Sequence, residues 1–193
     1  MEDLAYIVEP PQVSFIKEET IRLGFGMPSE PLVGTLLRTL AASKPAGRFL
    51  ELGTGTGIAT AWLLAGMDAA STLVSVDTDA TVQAVAQAVL GNDPRLKLLL
   101  SDGFDYLGAQ APGSFDLVFA DAMPGKYDGL EAALAVVRIG GFYVIDDMSP
   151  QPNWPEGHAA KVPALMEQLA QHQDFVLLPL VWSSGVAVAV RRS

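Results

Sequence analysis

Three glycines, Gly53, Gly55 and Gly57, follow an apolar segment at a spacing of two residues. Glycine lacks a Cβ atom, so its backbone can adopt positive φ angles and come close to a ligand. A helix that begins after Gly57 would also present backbone N–H groups that have no partner within the helix. The spacing predicts a strand, a glycine loop and a helix, a junction at which nucleotide-like ligands bind.

The residues around this loop indicate which ligand it suits. A dinucleotide-binding loop has its third glycine one position later, where this chain has Ile58, so a dehydrogenase is disfavoured. Two carboxylates suit a ligand that carries a ribose and an amino group but no phosphate. Glu51 lies in the first strand, and Asp77 ends the apolar run 73–77, where it can accept hydrogen bonds from both ribose hydroxyls. The alternative role of Asp77 is to cap the helix that begins near Asp79.

Composition limits the class of protein. The chain has 193 residues, half of them apolar, which predicts one domain, 1–193, with an N-terminal helical cap at 1–45 and an α/β core at 46–193. Its net charge is −10 and it has no run of basic residues, so a nucleic-acid partner is not expected. It has no cysteine, and Asp68 interrupts the longest apolar stretch. We therefore expect a cytoplasmic protein with no membrane partner.

Hydrophobic periodicity predicts alternating strands and helices after the glycine loop. The predicted strands are 72–77, 96–101, 115–120 and 142–145, and the predicted helices are 79–90, 130–138 and 158–172. Two further strands, 175–181 and 186–190, are joined so tightly that they must pair antiparallel. Alternating units of this kind form a parallel sheet with helices on both faces, and ligands bind outside the carboxyl ends of its strands. Because the strands end on acidic residues, their carboxylates should share one rim.

The segments before and after the alternating strands and helices are predicted to border the ligand site. An amphipathic helix is predicted over 13–23, and a second helix is predicted to start at Ser29-Glu30-Pro31. Both could cover the cofactor cleft. The proline-rich stretch 150–155 is predicted to be a loop at the ligand-binding edge of the sheet.

The segment from Glu51 through Gly57 resembles motif I of the class I S-adenosylmethionine (SAM)-dependent methyltransferases. Almost the whole chain resembles the cation-dependent small-molecule O-methyltransferases, the group that contains the catechol and caffeoyl-CoA O-methyltransferases. The resemblance rests on Met27 with Gly34, on 115–122 followed by Lys126-Tyr127, on 144–147 and on 175–192. It implies a Rossmann-like, doubly wound, mostly parallel seven-stranded α/β sheet with an antiparallel C-terminal hairpin strand.

The resemblance also implies which residues bind the cofactor, S-adenosyl-L-methionine. They are Met27, Glu51, Gly53, Thr54, Gly55, Thr56, Gly57, Asp77, Asp102, Gly103, Phe104 and Asp121. Asp102 matches the acid that contacts adenine, with Phe104 beside the ring. An alternative for Asp102 is a helix N-cap.

The same resemblance places a divalent cation, Mg²⁺, Mn²⁺ or Ca²⁺, on Asp121, Asp146 and Asp147, where Asp147 replaces the usual asparagine. Oxygen ligands suit such ions, and neighbouring strands lie about 4.8 Å apart. Asp121 and Lys126 are the expected catalytic residues, with Lys126 acting as a base or orienting the acceptor.

The function implied is SAM-dependent methyl transfer to a hydroxyl of a small, catechol-like acceptor. Asp147 and the segment Met123-Pro124-Gly125 depart from the family pattern and keep two alternatives open: a metal-independent methyltransferase, and a silent binder of SAM or S-adenosylhomocysteine (SAH). Trp154 and Trp182 are weak candidates for an aromatic acceptor pocket. His158 and His172 have no partner at metal-ligand spacing and were given no role. Resemblance alone suggests a homodimer.

Overall fold

The computed structural model describes residues 3–152, 154 and 156–193, so Asn153 and Pro155 of the predicted proline-rich loop lie outside the described residues. The strands are Arg48–Leu52 (β1), Thr72–Asp77 (β2), Leu96–Leu100 (β3), Phe115–Ala120 (β4), Val137–Ile145 (β5), Phe175–Leu180 (β6) and Val186–Arg191 (β7). The α-helices are Pro11–Leu23 (α1), Pro31–Ala42 (α2), Ile58–Gly66 (α3), Ala80–Leu90 (α4), Gly103–Gly108 (α5), Leu130–Val136 (α6) and Lys161–Gln171 (α7).

All seven strands form one sheet in the order β3-β2-β1-β4-β5-β7-β6. Strands β1 to β5 pair in parallel, whereas β7 runs antiparallel to both β5 and β6. This confirms the predicted α/β class and the antiparallel C-terminal hairpin. Leu52 pairs with Val76 on one side and with Ala120 on the other, so the loops that follow β1, β2 and β4 leave the sheet side by side.

The two faces of the sheet carry separate cores because successive side chains of a strand point to opposite faces. In β4, Leu117 and Phe119 pack in the core that also contains Trp62. Val118 and Ala120 pack in the other core. Helices α1 to α4 contribute buried residues to the first core, and α5, α6 and α7 contribute to the second. Parallel strands covered on both faces are mostly apolar, and in β4 only Asp116 interrupts the apolar run.

Two predicted boundaries were wrong near the C-terminal half of the sheet. Helix α6 ends at Val136, two residues before the predicted end, and β5 begins at once with Val137, five residues before its predicted start. The register between β4 and β5 shifts at this point, and Gly140 has a positive φ of 76°. The extra strand residues form an irregular extension that a pattern of alternating apolar residues does not reveal. The helix predicted over 158–172 begins as a 3₁₀ turn and becomes α-helical at Lys161.

The N-terminal helices pack directly on the helix that follows the glycine loop. A Cβ atom on Gly34 of α2 would lie 2.4 Å from the ring of Trp62 in α3, so only glycine allows this approach. In α1, the hydroxyl of Thr20 donates to Thr56 Oγ1 of the glycine loop over 2.7 Å. Across the described ranges, none of the helices has the length and apolar character needed to cross a bilayer.

Candidate functional site

The glycine loop after β1 has the backbone conformation that its composition predicted. Gly53, Gly55 and Gly57 have φ angles of 97°, 52° and 96°, in the region that favours glycine. A Cβ atom on Gly53 would lie 2.7 Å from the carbonyl oxygen of Asp121, and one on Gly57 would lie 2.7 Å from the Cβ of Ala86. The loop therefore sits against the end of β4 and against α4, and larger residues would separate them.

Asp77 fixes this loop to the end of β2. Its Oδ2 accepts the N–H of Gly55 over 2.7 Å, and its Oδ1 accepts the N–H of Asp79 over 2.9 Å. Each carboxylate oxygen can accept more than one hydrogen bond, so Asp77 keeps acceptor capacity for a ligand. The cap of α4 is Asp79, which accepts from Thr81 and Val82. Asp79, and not Asp77, therefore caps α4.

Glu51 lies beneath the loop and is fully buried. Its Oε2 accepts hydrogen bonds from the hydroxyls of Thr60 and Ser75, and its Oε1 has no hydrogen-bond partner among the described residues. Burial raises the pKa of Glu51 to about 7 in spite of these two bonds. The Ser75 hydroxyl also bonds Thr54 Oγ1, which accepts from Gln83. Glu51 therefore supports the loop from below, through a polar network that the sequence did not predict.

One cavity of about 380 Å³ opens at the carboxyl ends of the strands. Among the predicted cofactor residues, its walls include Met27, Gly53, Thr54, Gly55, Thr56, Asp77, Gly103 and Asp121. Glu51, Gly57, Asp102 and Phe104 are not among the residues that line it. The Asp102 carboxylate instead accepts from the N–H groups of Phe104 and Asp105 as the N-cap of α5. Phe104 is 54% exposed.

Three carboxylates, those of Asp121, Asp146 and Asp147, gather where β4 and β5 end. Burial, followed by the nearby Asp146, raises the pKa of Asp121 well above its usual range. Burial raises the pKa of Asp146 to about 6 and also raises that of Asp147. Asp147 has a positive φ of 58°, which bends the chain after β5. Asp121 and Asp147 line the cavity, and all three acids line a neighbouring pocket.

The acids are already engaged by protein groups. Oδ1 of Asp146 accepts from the N–H of Asp147 over 2.7 Å and from the hydroxyl of Ser184. Lys126 is buried, and its Nζ donates to the backbone oxygen of Asp146 over 2.5 Å. Among residues 3–152, 154 and 156–193, no group of three acidic or histidine side chains is arranged to hold one metal ion. Because Oδ1 of Asp146 is held by protein donors and the described residues form no such group of three, they do not fit a divalent cation.

Aromatic side chains form another wall of the cavity beside the acids. The hydroxyl of Tyr127 and Nε2 of His158 are 3.1 Å apart, and the rings of Trp154 and His158 have centroids 4.7 Å apart. Partial burial, with help from the ammonium groups of Lys126 and Lys161, lowers the pKa of His158. His158, given no role from the sequence, thus lines the cavity. Trp182 is not among the residues that line the cavity.

The segment between α1 and α2 covers the cavity. Helix α1 ends at Leu23, and its C-cap Gly24 has a left-handed conformation. The chain then turns so that Phe25, Met27, Pro28 and Ser29 line the cavity. Ser29 Oγ lies 3.5 Å from Oδ2 of Asp121. The sequence predicted a covering role for the N-terminal helices and named Met27. It missed Phe25 and Ser29, whose only signal is their position in a short link between two helices.

The comparisons with known proteins agree on one family. A family model described as a methyltransferase domain matches residues 50–148. A Mycobacteroides abscessus protein named "Putative O-methyltransferase" is 32% identical over 198 residues, and the match covers 96% of this chain and 90% of that protein. A protein of the same name from Mycobacterium sp. (strain KMS) is 33% identical over 144 residues, which cover 72% of this chain and 65% of that protein.

The fold is also similar to a solved structure. The O-methyltransferase TomG from Streptomyces achromogenes, which is involved in tomaymycin synthesis and was crystallised in complex with SAM, is 23% identical. Its TM-score is 0.81, and the match covers 97% of this chain and 92% of that one. At this level of identity the likeness shows the fold. The family model spans more than half of the chain and the M. abscessus relative matches nearly all of it, so this chain belongs to the methyltransferase domain family.

Proposed function

We propose that this protein transfers the methyl group of SAM to a hydroxyl oxygen of a small aromatic acceptor. The observation that carries the proposal is the composition of the cavity of about 380 Å³ at the carboxyl ends of the strands. One end is the glycine loop with Asp77, which suits a nucleoside. The other end brings carboxylates, a lysine and aromatic rings together, which suits a second, polar aromatic molecule.

The residues present fit SAM. Asp77 would accept from the ribose hydroxyls while it holds the loop through Gly55. Asp121 is buried at the junction of the two ends, and a buried carboxylate with a raised pKa would gain from a cationic amino group placed beside it. The walls also carry Asp79 and Asp147, so the cavity favours a ligand with positive charge. SAM carries such charge on its sulfonium and on its amino group.

When bound, SAM would supply an activated methyl group. The acceptor oxygen forms a bond to the methyl carbon while the sulfur–carbon bond breaks and leaves its electron pair on sulfur. The hydroxyl proton also leaves. The chain must therefore hold the oxygen in line, remove the proton and exclude water. Lys126 lines the cavity and is placed to donate to the acceptor oxygen. His158 lines the cavity and has a ring nitrogen that can take the proton, and the Asp147 carboxylate acts in favour of the protonated ring. The Phe25 to Ser29 segment covers the cavity.

The aromatic wall supports the acceptor class. His158 contacts both Tyr127 and Trp154, and all three residues line the cavity. Flat rings of this kind offer a large apolar surface to a planar ligand, and they prefer edge or offset contacts with it. A phenol could lie against this wall with its hydroxyl toward Lys126.

The test combines binding and turnover. SAH should bind by calorimetry to the wild type, and labelled SAM should transfer its methyl group to one or more members of a panel of phenols but not to aliphatic alcohols. His158→Gln should lower kcat about 10²-fold or more while SAH affinity is kept. His172→Gln is the matched control, because His172 packs edge-on against Phe175 outside the cavity. Absence of SAH binding would refute the proposal, and SAH binding without transfer to any acceptor would favour the silent binder.

A further inference from the structure

The aromatic wall of the cavity contains a hydrogen-bond donor that the protein itself does not use. The indole Nε1 of Trp154 is buried and has no hydrogen-bond partner among residues 3–152, 154 and 156–193. Tryptophan N–H groups usually have a partner when they are buried, because an unpaired donor has lost its bond to water. Trp154 lines the cavity, and the centre of its ring lies 4.7 Å from that of His158. An oxygen atom of a ligand on this wall could therefore accept the indole N–H.

Two lysines approach the same wall. The ammonium of Lys126 lies 5.4 Å from the centre of the Tyr127 ring, and that of Lys161 lies 5.6 Å from it. Lys126 is 4% exposed and lines the cavity, whereas Lys161 is exposed at the start of α7. The two ammonium groups therefore mark the inner and the outer end of the aromatic wall.

These ammonium groups make the surroundings of His158 positive. Within the part of the chain that the structure describes, no ion pair joins Lys126 or Lys161 to a carboxylate. Partial burial lowers the pKa of His158 most, and each ammonium then lowers it by more than the Asp147 carboxylate raises it. The aromatic wall therefore differs in charge from the glycine-loop end of the cavity, which has Asp77.

A carboxylate on the acceptor ring matches both features of the wall. Its oxygens can accept an N–H and can also pair with an ammonium, and hydrogen bonds that involve a charged group are the stronger ones. A phenol with its reacting hydroxyl at the inner end, toward Lys126, would place a carboxylate on the far side of the ring at the outer end, toward Lys161. The acidic end of the cavity would repel such an anion and attract cationic SAM, so charge would keep the two ligands apart.

We propose that the methyl acceptor is a hydroxylated aromatic carboxylate, and that the indole N–H of Trp154 and the ammonium of Lys161 bind its carboxylate group. This inference rests on the proposed function, since it names the class of acceptor for the same cavity. It assigns Trp154 and Lys161 to recognition of the acceptor and not to the transfer step. Their loss should therefore weaken acceptor binding and leave kcat nearly unchanged.

The experiment is a calorimetric titration of three probes into protein saturated with SAH: a dihydroxybenzoate with vicinal hydroxyls, the matching dihydroxybenzamide, and catechol. The benzoate and the benzamide have the same shape and differ in charge. The wild type should bind the benzoate at least about tenfold more tightly than the benzamide. Lys161→Met should weaken benzoate binding about three- to fivefold, as expected for an exposed charge pair, and should leave benzamide binding unchanged. Trp154→Phe keeps an aromatic ring and removes the N–H, so it should weaken binding of both substituted probes but not of catechol.

Lys97→Met is the matched control, because Lys97 is also exposed, lies in β3 and does not line the cavity. It removes the same charge from the protein and should leave all three affinities unchanged. Lys161→Arg keeps the charge and should keep the preference for the benzoate. Equal affinity of the wild type for the benzoate and the benzamide would overturn the proposal, and so would failure of both to bind at millimolar concentration.

Methyl transfer separates this inference from the function on which it rests. With labelled SAM, the benzoate should have the highest kcat/KM of the three probes, and Lys161→Met should raise its KM without lowering kcat. Equal kcat/KM for the benzoate and the benzamide would refute the role of the carboxylate and leave the methyltransferase function intact. Absence of SAH binding would refute that function itself.

Discussion

The backbone N–H of Gly55 donates to Oδ2 of Asp77 across 2.7 Å, which ties the loop after β1 to the end of β2. The two residues are far apart in the chain and meet because β1 and β2 are parallel neighbours. The same carboxylate holds the loop and faces the cavity. Loop geometry and cofactor affinity should therefore change together when this residue is changed.

Asp77→Asn should weaken SAH binding by about tenfold or more, because a charge-assisted hydrogen bond is worth about 1.5–3 kcal/mol and the new amide can direct an N–H toward a donor. Isothermal titration calorimetry measures this directly. Asp105→Asn is the control, since Asp105 is exposed on α5 and does not line the cavity. Equal losses in both variants would show that the effect does not come from the Asp77 carboxylate.

Two substitutions of Asp102 distinguish a role as a helix cap from a role in ligand binding. Asp102→Ala should lower the free energy of unfolding by about 1 kcal/mol, because α5 loses the acceptor for two backbone N–H groups. Asp102→Asn should keep both the cap and the affinity for SAH. If Asp102→Asn instead reduces SAH affinity while leaving the unfolding curve unchanged, the carboxylate contacts the cofactor, as the family resemblance implied.

Gly125→Ala should destabilise the protein more than Gly113→Ala. Both glycines have positive φ angles, 81° and 66°, so each substitution costs roughly 1–2 kcal/mol in backbone strain. Only the first also places a Cβ atom against Leu52, whereas the nearest atom to a Cβ on Gly113 is 3.9 Å away. Urea unfolding of the two variants measures the difference. Equal values would mean that Leu52 moves away at no cost and that the loop is less tightly held than its contacts indicate.

Glu51 should make stability depend on pH in a defined direction. Burial raises its pKa from 4.5 to about 7 on folding, so the folded protein holds this proton more tightly than the unfolded chain does. The stability that results is complete below about pH 4.5 and is lost as the pH rises through about 7. Glu51→Gln cannot titrate, so its free energy of unfolding should fall less between these two values.

The control for this measurement is Glu131→Gln, because the side chain of Glu131 is 80% exposed. That variant should follow the wild-type curve from pH 4.5 to 7. A wild-type curve parallel to that of Glu51→Gln would contradict the assignment, and would mean that Glu51 ionises in the folded protein as easily as it does in the unfolded chain.

Local features of the sequence were enough to predict most of the fold. The glycine loop after β1 and the strand over 115–120 were each predicted from a pattern only a few residues long, and the structure confirms both. The boundary between α6 and β5 was missed because it depends on a shift in register against β4, which is a tertiary pairing. The family resemblance could also be recognised from the sequence, because its motifs are short segments at the ends of predicted strands.

The sequence by itself determined that carboxylates follow consecutive parallel strands and so gather at one rim. Only the tertiary structure decided what each carboxylate does there. The Glu51 side chain is buried in the core, Asp102 caps a helix and Asp77 holds a loop, although each of them lies at or near the end of a strand. The physical reason is that burial and hydrogen-bond partners come from residues distant in the chain. The meeting of Lys126 and His158 at one cavity likewise depends on loops that the sheet brings together.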